Sequence, residues 1–441
     1  MFDFDTEAIH KIFSPSVRPP PLPSPAAAPA WVLLEPVAYI ADHTNATTAE
    51  ASSSTGHTVR VTVCVTDPLG VSYICFHCPG LKDSDFCDRP TVVCSDKDFL
   101  ILSVVFMFGP HAKQGLNEYF IYKAGPGRPA LRLLPGPYPR GFRGSGIALM
   151  PRDDGAHFVL AALDYTFQFD DRWVYDLHIF SSRTWTWTRK VPQVEVSSEV
   201  RSGVSIITPS KVIQLGGGTV GFVDLMKGIA VCNVLDEMPV LRFIPVPQLM
   251  PGHMEGSKSC WQVRNVSYSN GMIKFVEIEK HERHDPDERT LDDMDTLYDS
   301  DCLPKPKVIG WRAMTWYRMI SWDHWRKGSM VYDKEISVDS ERYSMLFPEP
   351  TDNNARELTL KNLLASFPVL TLTCDCDDIV YMLCVTKSED KESWLISVDL
   401  KKKILVELAP FSLKGYFAPA QPSELSSYLN RAPGLGCLSR R

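Results

Sequence analysis

Three stretches of this chain read alike: residues 173–192, 221–247 and 394–410 each run strand, tight turn, strand, proline. The first begins Trp173-Val-Tyr-Asp-Leu, the second Gly221-Phe-Val-Asp-Leu and the third Trp394-Leu-Ile-Ser-Val-Asp-Leu. A unit recurring at roughly fifty residues constrains the fold strongly, because no such unit can bury its own apolar face and each must stack on neighbours. The prolines that close the last strand of successive units fall at Pro135, Pro192 and Pro247, in steps of about fifty-seven and fifty-five residues. Room for two or three further units lies between Pro247 and Pro410, and residues 31–80 supply one more. The expected fold is all-β, a β-propeller-like body of about six blades, with five or seven as alternatives. Closing such a ring usually has the two chain ends share a blade.

The chain has 441 residues, 44% of them apolar and 22% charged, with 34 prolines and 26 glycines, a composition suited to many short strands joined by turns. A net charge of -7 provides no global field for nucleic acid or an anionic membrane surface. Met1-Phe-Asp-Phe-Asp-Thr-Glu carries acid where a targeting signal carries base, so no targeting peptide is expected. The most apolar run, residues 99–108, is about half the length that spans a bilayer and reads as a buried strand. Twelve cysteines without a leader point to reduced thiols in the cytoplasm or nucleus, where the sequons at Asn45 and Asn265 carry little weight.

Residues 1–30 read as a disordered Pro/Ala-rich arm, since proline removes donors and fixes φ; a spacer is favoured over a polyproline ligand. Residues 31–429 read as a single domain of short strands. Residues 57–65 alternate strictly, with Thr58, Arg60, Thr62 and Cys64 on one face and Val59, Val61, Val63 and Val65 on the other. Asp67-Pro-Leu-Gly70 predicts a turn, and residues 71–78 the returning strand. The acid-dense stretch from Glu279 predicts a solvated loop insert at 281–301. Residues 417–429 predict one short helix started by Ser423, before a flexible tail at 430–441.

Ser54-Thr-Gly-His-Thr-Val-Arg-Val-Thr, Tyr73-Ile-Cys-Phe-His-Cys-Pro-Gly80, Gly221-Phe-Val-Asp-Leu-Met-Lys-Gly-Ile, Pro239-Val-Leu-Arg-Phe-Ile-Pro-Val-Pro247 and Gly310-Trp-Arg-Ala-Met-Thr-Trp316 resemble a plant family. It is the domain-of-unknown-function family 1618, expanded in grasses and similar in repeat style to F-box-associated and kelch-like propellers. The resemblance implies a propeller fold over residues 31–429 and brings no activity. Only about thirty residues precede Trp31, so no F-box is expected.

Cys75, His77, Cys78, Cys87 and Cys94 are the densest set of potential metal ligands, and Cys75, Cys78, Cys87 and Cys94 would suffice for a tetrahedral zinc site. Strand alternation points Cys75 and Cys78 to opposite faces, which favours packing over ligation. Cys374-Asp-Cys376 and Cys384 carry less weight: two same-face cysteines on a strand could pair under oxidation, but the expected compartment argues against it. Residues 311–326 interleave Trp311, Trp316, Trp322 and Trp325 with Arg312, Arg318 and Arg326, a pattern that stacks on bases or sugars when exposed and fills inter-blade space when buried. The second reading is favoured. The acidic stretch, with Asp285, Asp287, Glu288, Asp292, Asp293 and Asp295, lacks the EF-hand order, and Tyr298 or Ser300 would be sites for phosphate without a sequence rule to support them.

Enzyme motifs are not matched. Ser145 does not sit in a nucleophile elbow, His281 and His284 lack helical zinc spacing, and Gly216-Gly-Gly218 reads as a hairpin turn and not a phosphate loop. No catalytic, cofactor or metal residue is assigned. The expected function is a non-catalytic, monomeric scaffold or adaptor that binds another protein through its loops. A small-molecule or glycan-binding propeller is the rival, and a hydrolase comes third. Exposed aromatics with convergent polar groups would favour the rival; a broad loop surface would favour the scaffold.

Overall fold

Short apolar runs bounded by turn residues become the strands of six sheets. The computed structural model describes residues 19–21, 29–107, 115–126, 128–139, 142, 146–167, 173–195, 207–251, 262–283, 307–343, 360, 363–370, 378–386, 393–411 and 420–429. The first sheet contains β1 (Val32–Leu34), β2 (Tyr39–Ile40), β3 (Ala49–Ser52), β4 (Thr58–Cys64) and β5 (Val71–His77). The second runs in order through β6 (Thr91–Asp96), β7 (Phe99–Phe106), β8 (Leu116–Lys123) and β9 (Ala130–Leu133). The third is β10 (Ile147–Arg152), β11 (His157–Phe167), β12 (Trp173–Ser181) and β13 (Thr186–Lys190). The fourth contains β14 (Gln193–Val194), β15 (Lys211–Gly216), β16 (Thr219–Asp224), β17 (Gly228–Asn233) and β18 (Val240–Pro245), with β14 added in parallel beside β18.

The fifth sheet is β19 (Arg264–Ser269), β20 (Met272–Arg283), β21 (Lys307–Met319) and β22 (Arg326–Tyr332); the sixth is β23 (Leu363–Leu370), β24 (Ile379–Thr386), β25 (Ser393–Asp399) and β26 (Ile404–Phe411). Among the described residues, two short α-helices, α1 (Ser340–Tyr343) and α2 (Ser426–Leu429), flank a last strand, β27 (Gln421–Ser423). These are six blades arranged as a β-propeller, the count that the proline spacing predicts. Pro135 and Pro192 lie just past β9 and β13, while Pro245 and Pro410 end or nearly end β18 and β26. Each of these strands is the last of a meander, where a lost ladder donor costs least.

The chain divides into two compact units, residues 1–246 with 413–441 and residues 247–412. In the first unit, β27 pairs antiparallel with β1, and β1 lies parallel to β5, so residues from the two chain ends share a sheet as expected. Successive sheets of this unit pack face to face. Val59, Val61, Phe76, Leu102, Phe106 and Phe120 fill the space between the first and second, and Ala161, Leu177, Phe222 and Ala230 that between the third and fourth. In the second unit, Val276, Ile278, Trp311, Met382 and Ile396 form the core between the fifth and sixth sheets, and the indole nitrogen of Trp311 donates to the carbonyl of Leu363 at 2.9 Å.

Several expectations need adjustment. The polar face of β4 is only partly exposed. Thr62 is buried and its hydroxyl donates to the carbonyl of His43 at 2.7 Å, and Cys64 packs with Tyr39, Tyr73 and Cys75. The predicted turn forms, with the Gly70 N–H bonded to the Asp67 carbonyl at 2.9 Å and Leu69 at φ 79°. The insert does not begin at His281: β20 continues through Arg283, its alternation sustained by pairing with β21, and 284–306 lie outside the described residues. Helix α2 is confined to Ser426–Leu429, because Ser423 pairs with Val32 in β27 and its hydroxyl accepts from the Leu425 N–H and the Ser95 hydroxyl. Within the arm, the Pro20 carbonyl accepts from the Tyr73 hydroxyl and the Pro29 carbonyl from the Ser426 hydroxyl, both at 2.8 Å. No helix among the described residues is long and apolar enough to cross a membrane.

Candidate functional site

The residues that the sequence singles out do not converge. Cys75 is buried with Tyr39, Cys64 and Tyr73 on one face of β5, and Cys78 lies in the core on the opposite side, as alternation dictates. Cys87 is exposed and Cys94 half-buried beside a third cluster. The Cys75 thiol is pushed up by its hydrogen bond with Cys64 and by burial, and burial does the same at Cys78 and Cys94. Among the described residues, no three His, Cys, Asp or Glu side chains are grouped to hold a metal ion. Cys374 and Cys376 lie outside the described residues, and Cys384 is a core residue of the second unit.

The Trp-rich segment is largely structural. Trp311 is fully buried, Trp316 nearly so, and Arg318 and Arg326 lie over the rings of Trp325 and Trp322 at 5.6 and 4.1 Å. Arg312 pairs with Glu279. His281 stacks on Tyr332 within the fifth sheet, and His284, Ser145 and residues 285–301 lie outside the described residues. Gly216, Gly217 and Gly218 form the β15–β16 hairpin turn, all with positive φ.

The site that does assemble lies at one end of the second and third sheets. Meander topology places the turns β6–β7, β8–β9, β10–β11 and β12–β13 at the same end of their sheets. They are tied together there: the Ala124 N–H donates to the Asp98 carbonyl at 2.7 Å, and the Lys123 amine donates to the Gly155 carbonyl at 2.5 Å. Gly155, at φ 82°, is required, since a Cβ there would stand 2.6 Å from the Asp98 carboxylate. Between these turns opens a cavity of about 240 Å³.

Three rings, those of Phe99, Phe158 and Trp185, form its aromatic wall, and Ile121, Ala130 and Ala156 complete the apolar lining. Its polar groups are Lys123, Arg132, His157 and Ser182, with no carboxylate among the lining side chains. The guanidinium of Arg132 lies 3.7 Å from the Trp185 ring centroid, and the Lys123 amine 5.3 Å from that of Phe99. Behind the wall the rings continue inward, with Trp185 meeting Phe180 edge-on and Phe180 in turn meeting Trp187, whose indole nitrogen donates to the Pro135 carbonyl at 2.9 Å.

The backbone around this cavity is strained. Lys97, Asp153 and Trp185 have φ of 50°, 51° and 59°, in the left-handed region that costs an L-residue roughly 1–2 kcal/mol each. Such strain persists only where surroundings over-determine it. Arg183 bonds Asp153 across the two turns and holds that carboxyl below its usual range, the Ser182 hydroxyl accepts the Phe158 N–H at 2.8 Å, and the Trp185 N–H reaches the Ser181 carbonyl at 2.8 Å. Asp98 lies 3.9 Å from the Lys123 amine, and burial raises its carboxyl. Sequence reasoning missed this site, whose members come from different hairpins and match no motif.

Comparison with known proteins places a family on part of the chain. Residues 222–381 match the family described as Protein of unknown function (DUF1618). The DUF1618 match runs from β16 to β24 and contains the Pro239–Pro247 and Gly310–Trp316 motifs; the motifs at residues 54–62 and 73–80 and the cavity lie outside it. No curated protein matches the chain. Solved structures similar to it include the WD40 domain of SCAP from fission yeast, 9% identical over 88% of this chain and 90% of that one, with a TM-score of 0.30. A mutant of B. megaterium levansucrase is 9% identical over 88% and 92%, with a TM-score of 0.29.

Proposed function

We propose that this protein is a non-catalytic interaction propeller that docks a partner protein on the turn-bearing end of its second and third sheets, with the cavity as the anchor pocket. The observation that carries this reading is the Arg132–Trp185 stack on the wall of a small cavity. Trp and Arg dominate the energetics of protein interfaces when they border a pocket that a partner side chain can fill. An aromatic wall with convergent polar groups is the arrangement expected of a small-molecule or glycan site, but at about 240 Å³ the cavity falls below the range of pockets for drug-sized ligands, roughly 300–1,000 Å³, and suits a single side chain. The exposed Thr184 and Thr186, whose hydroxyls bond each other at 2.8 Å, supply a polar rim.

Affinity capture with the tagged full chain, beside Trp185→Ala and Arg132→Gln variants, tests it. A stoichiometric partner that both variants lose supports docking here. A partner retained undiminished by both variants places the interface elsewhere, and recovery of the chain alone sinks the adaptor reading.

A further inference from the structure

We infer that the anchor this cavity selects is a carboxylate, the side chain of an Asp or Glu in an acidic segment of the partner, seated against Arg132 with its methylenes on the aromatic wall. The inference rests on the docking reading above and adds the chemistry of the occupant.

Charge complementarity is the first argument. The lining contributes two permanent positive charges, Lys123 and Arg132, and a histidine, but no acid. The acids of the surrounding turns whose side chains are described are already engaged. Asp153 bonds Arg183, and Asp98 sits behind Gly155, facing Lys123.

Availability is the second. Lys123 spends one N–H on the Gly155 carbonyl and faces Asp98, so its amine is partly committed. The side chain of Arg132 has no ion-pair or hydrogen-bond partner among the described residues; it stacks on Trp185. A guanidinium lying over a ring keeps its N–H edges at the rim, where a planar carboxylate can take two of them side by side. Because the stack already orders the arginine, less rotamer freedom is lost when the acid arrives.

Shape is the third. The Phe99, Phe158 and Trp185 rings with Ala130 and Ala156 make an apolar slot beside the positive rim. An aliphatic stem ending in a carboxylate matches both parts at once, whereas a lysine would meet like charge and an amide would leave the guanidinium without a counterion. A phosphate would satisfy the charge but wastes the apolar slot.

The test uses the purified full chain, fluorescently labelled, on an array of random pentapeptides with a fixed central Asp, Glu, Asn, Gln, Lys or phosphoserine. Wild type should bind the Asp and Glu sets roughly tenfold more than the Asn and Gln sets, the scale of a charge-assisted hydrogen bond. Arg132→Gln should bring that ratio close to one, and Trp185→Ala should weaken every set. Arg132 is an exposed side chain of β9, so an unchanged melting midpoint is expected for its variant and separates binding from folding. Equal binding of acids and amides that still depends on Trp185 overturns the carboxylate and leaves docking intact. A preference for phosphoserine or Lys also overturns it. Absence of any peptide binding that responds to either variant overturns both.

Discussion

Replacing Glu277 by leucine probes what holds the second unit together. Both side chains of the Arg264–Glu277 pair are fully buried. Oε2 of Glu277 accepts from Nε and Nη2 of Arg264 at 3.1 and 2.8 Å, and Oε1 accepts the Met250 N–H at 3.0 Å. Arg264 also donates to the Pro247 carbonyl at 2.9 Å and lies 5.0 Å from the Phe275 ring. Leucine occupies similar space but deletes the countercharge, stranding a guanidinium away from water. Each charge-assisted bond contributes about 1.5–3 kcal/mol, and breaking a buried pair from one side costs about 3–5 kcal/mol. A chain of two compact units need not unfold in one step, so the assay should read locally. Hydrogen exchange of peptides covering residues 262–283 should speed up by roughly two to three and a half orders of magnitude in E277L, by the conversion of about 1.4 kcal/mol per tenfold. The double variant Arg264→Met with Glu277→Leu should recover much of that loss, since no charge is then left buried. An acceleration below tenfold in the single variant, or a double variant as damaged as the two singles combined, refutes the reasoning.

Two further outcomes follow from the first unit. Burial pushes the Asp96 carboxyl up to about 6, opposed by its hydrogen bond from Gln214 and by Lys97, and reinforced by Glu424 and Asp98. A carboxyl raised in the folded state stabilises most below its unfolded value and loses that contribution as pH climbs through about 6. Asp96→Asn should therefore raise stability by about 1–3 kcal/mol at pH 8 and leave it unchanged below pH 4; urea unfolding at the two pH values decides, and equal effects at both would contradict it. Gly228→Ala should destabilise by about 1–3 kcal/mol through overpacking, because the added Cβ would stand 2.7 Å from the Ile244 carbonyl oxygen in the paired strand; a melting midpoint equal to wild type would show that β18 yields freely.

The blades were legible because proline and alternation act within a few residues. Pro135, Pro192 and Pro410 mark the ends of β9, β13 and β26, and Val59, Val61 and Val63 all face the core their spacing predicts. What lay beyond reach depends on separation. Lys123, Arg132, His157 and Trp185 meet only because two meanders put four turns at one end, and nothing near Trp185 announces its left-handed backbone, which glycine would normally occupy. Strand β27 was hidden for a similar reason. Three residues with a central proline resemble a helix start, and only pairing with Val32, Leu33 and Leu34 makes them a strand.

That pairing also sets an order of events during synthesis. Residues 421–423 complete a sheet whose other strands lie within residues 32–77, so the first sheet stays unfinished until the residues between His77 and Gln421 have been made. Until then β1 presents an open backbone edge, the kind that recruits other chains. A product truncated before Gln421 would keep that edge for life, which makes residues 421–423 the guarantor of a strand, Val32–Leu34, made long before them.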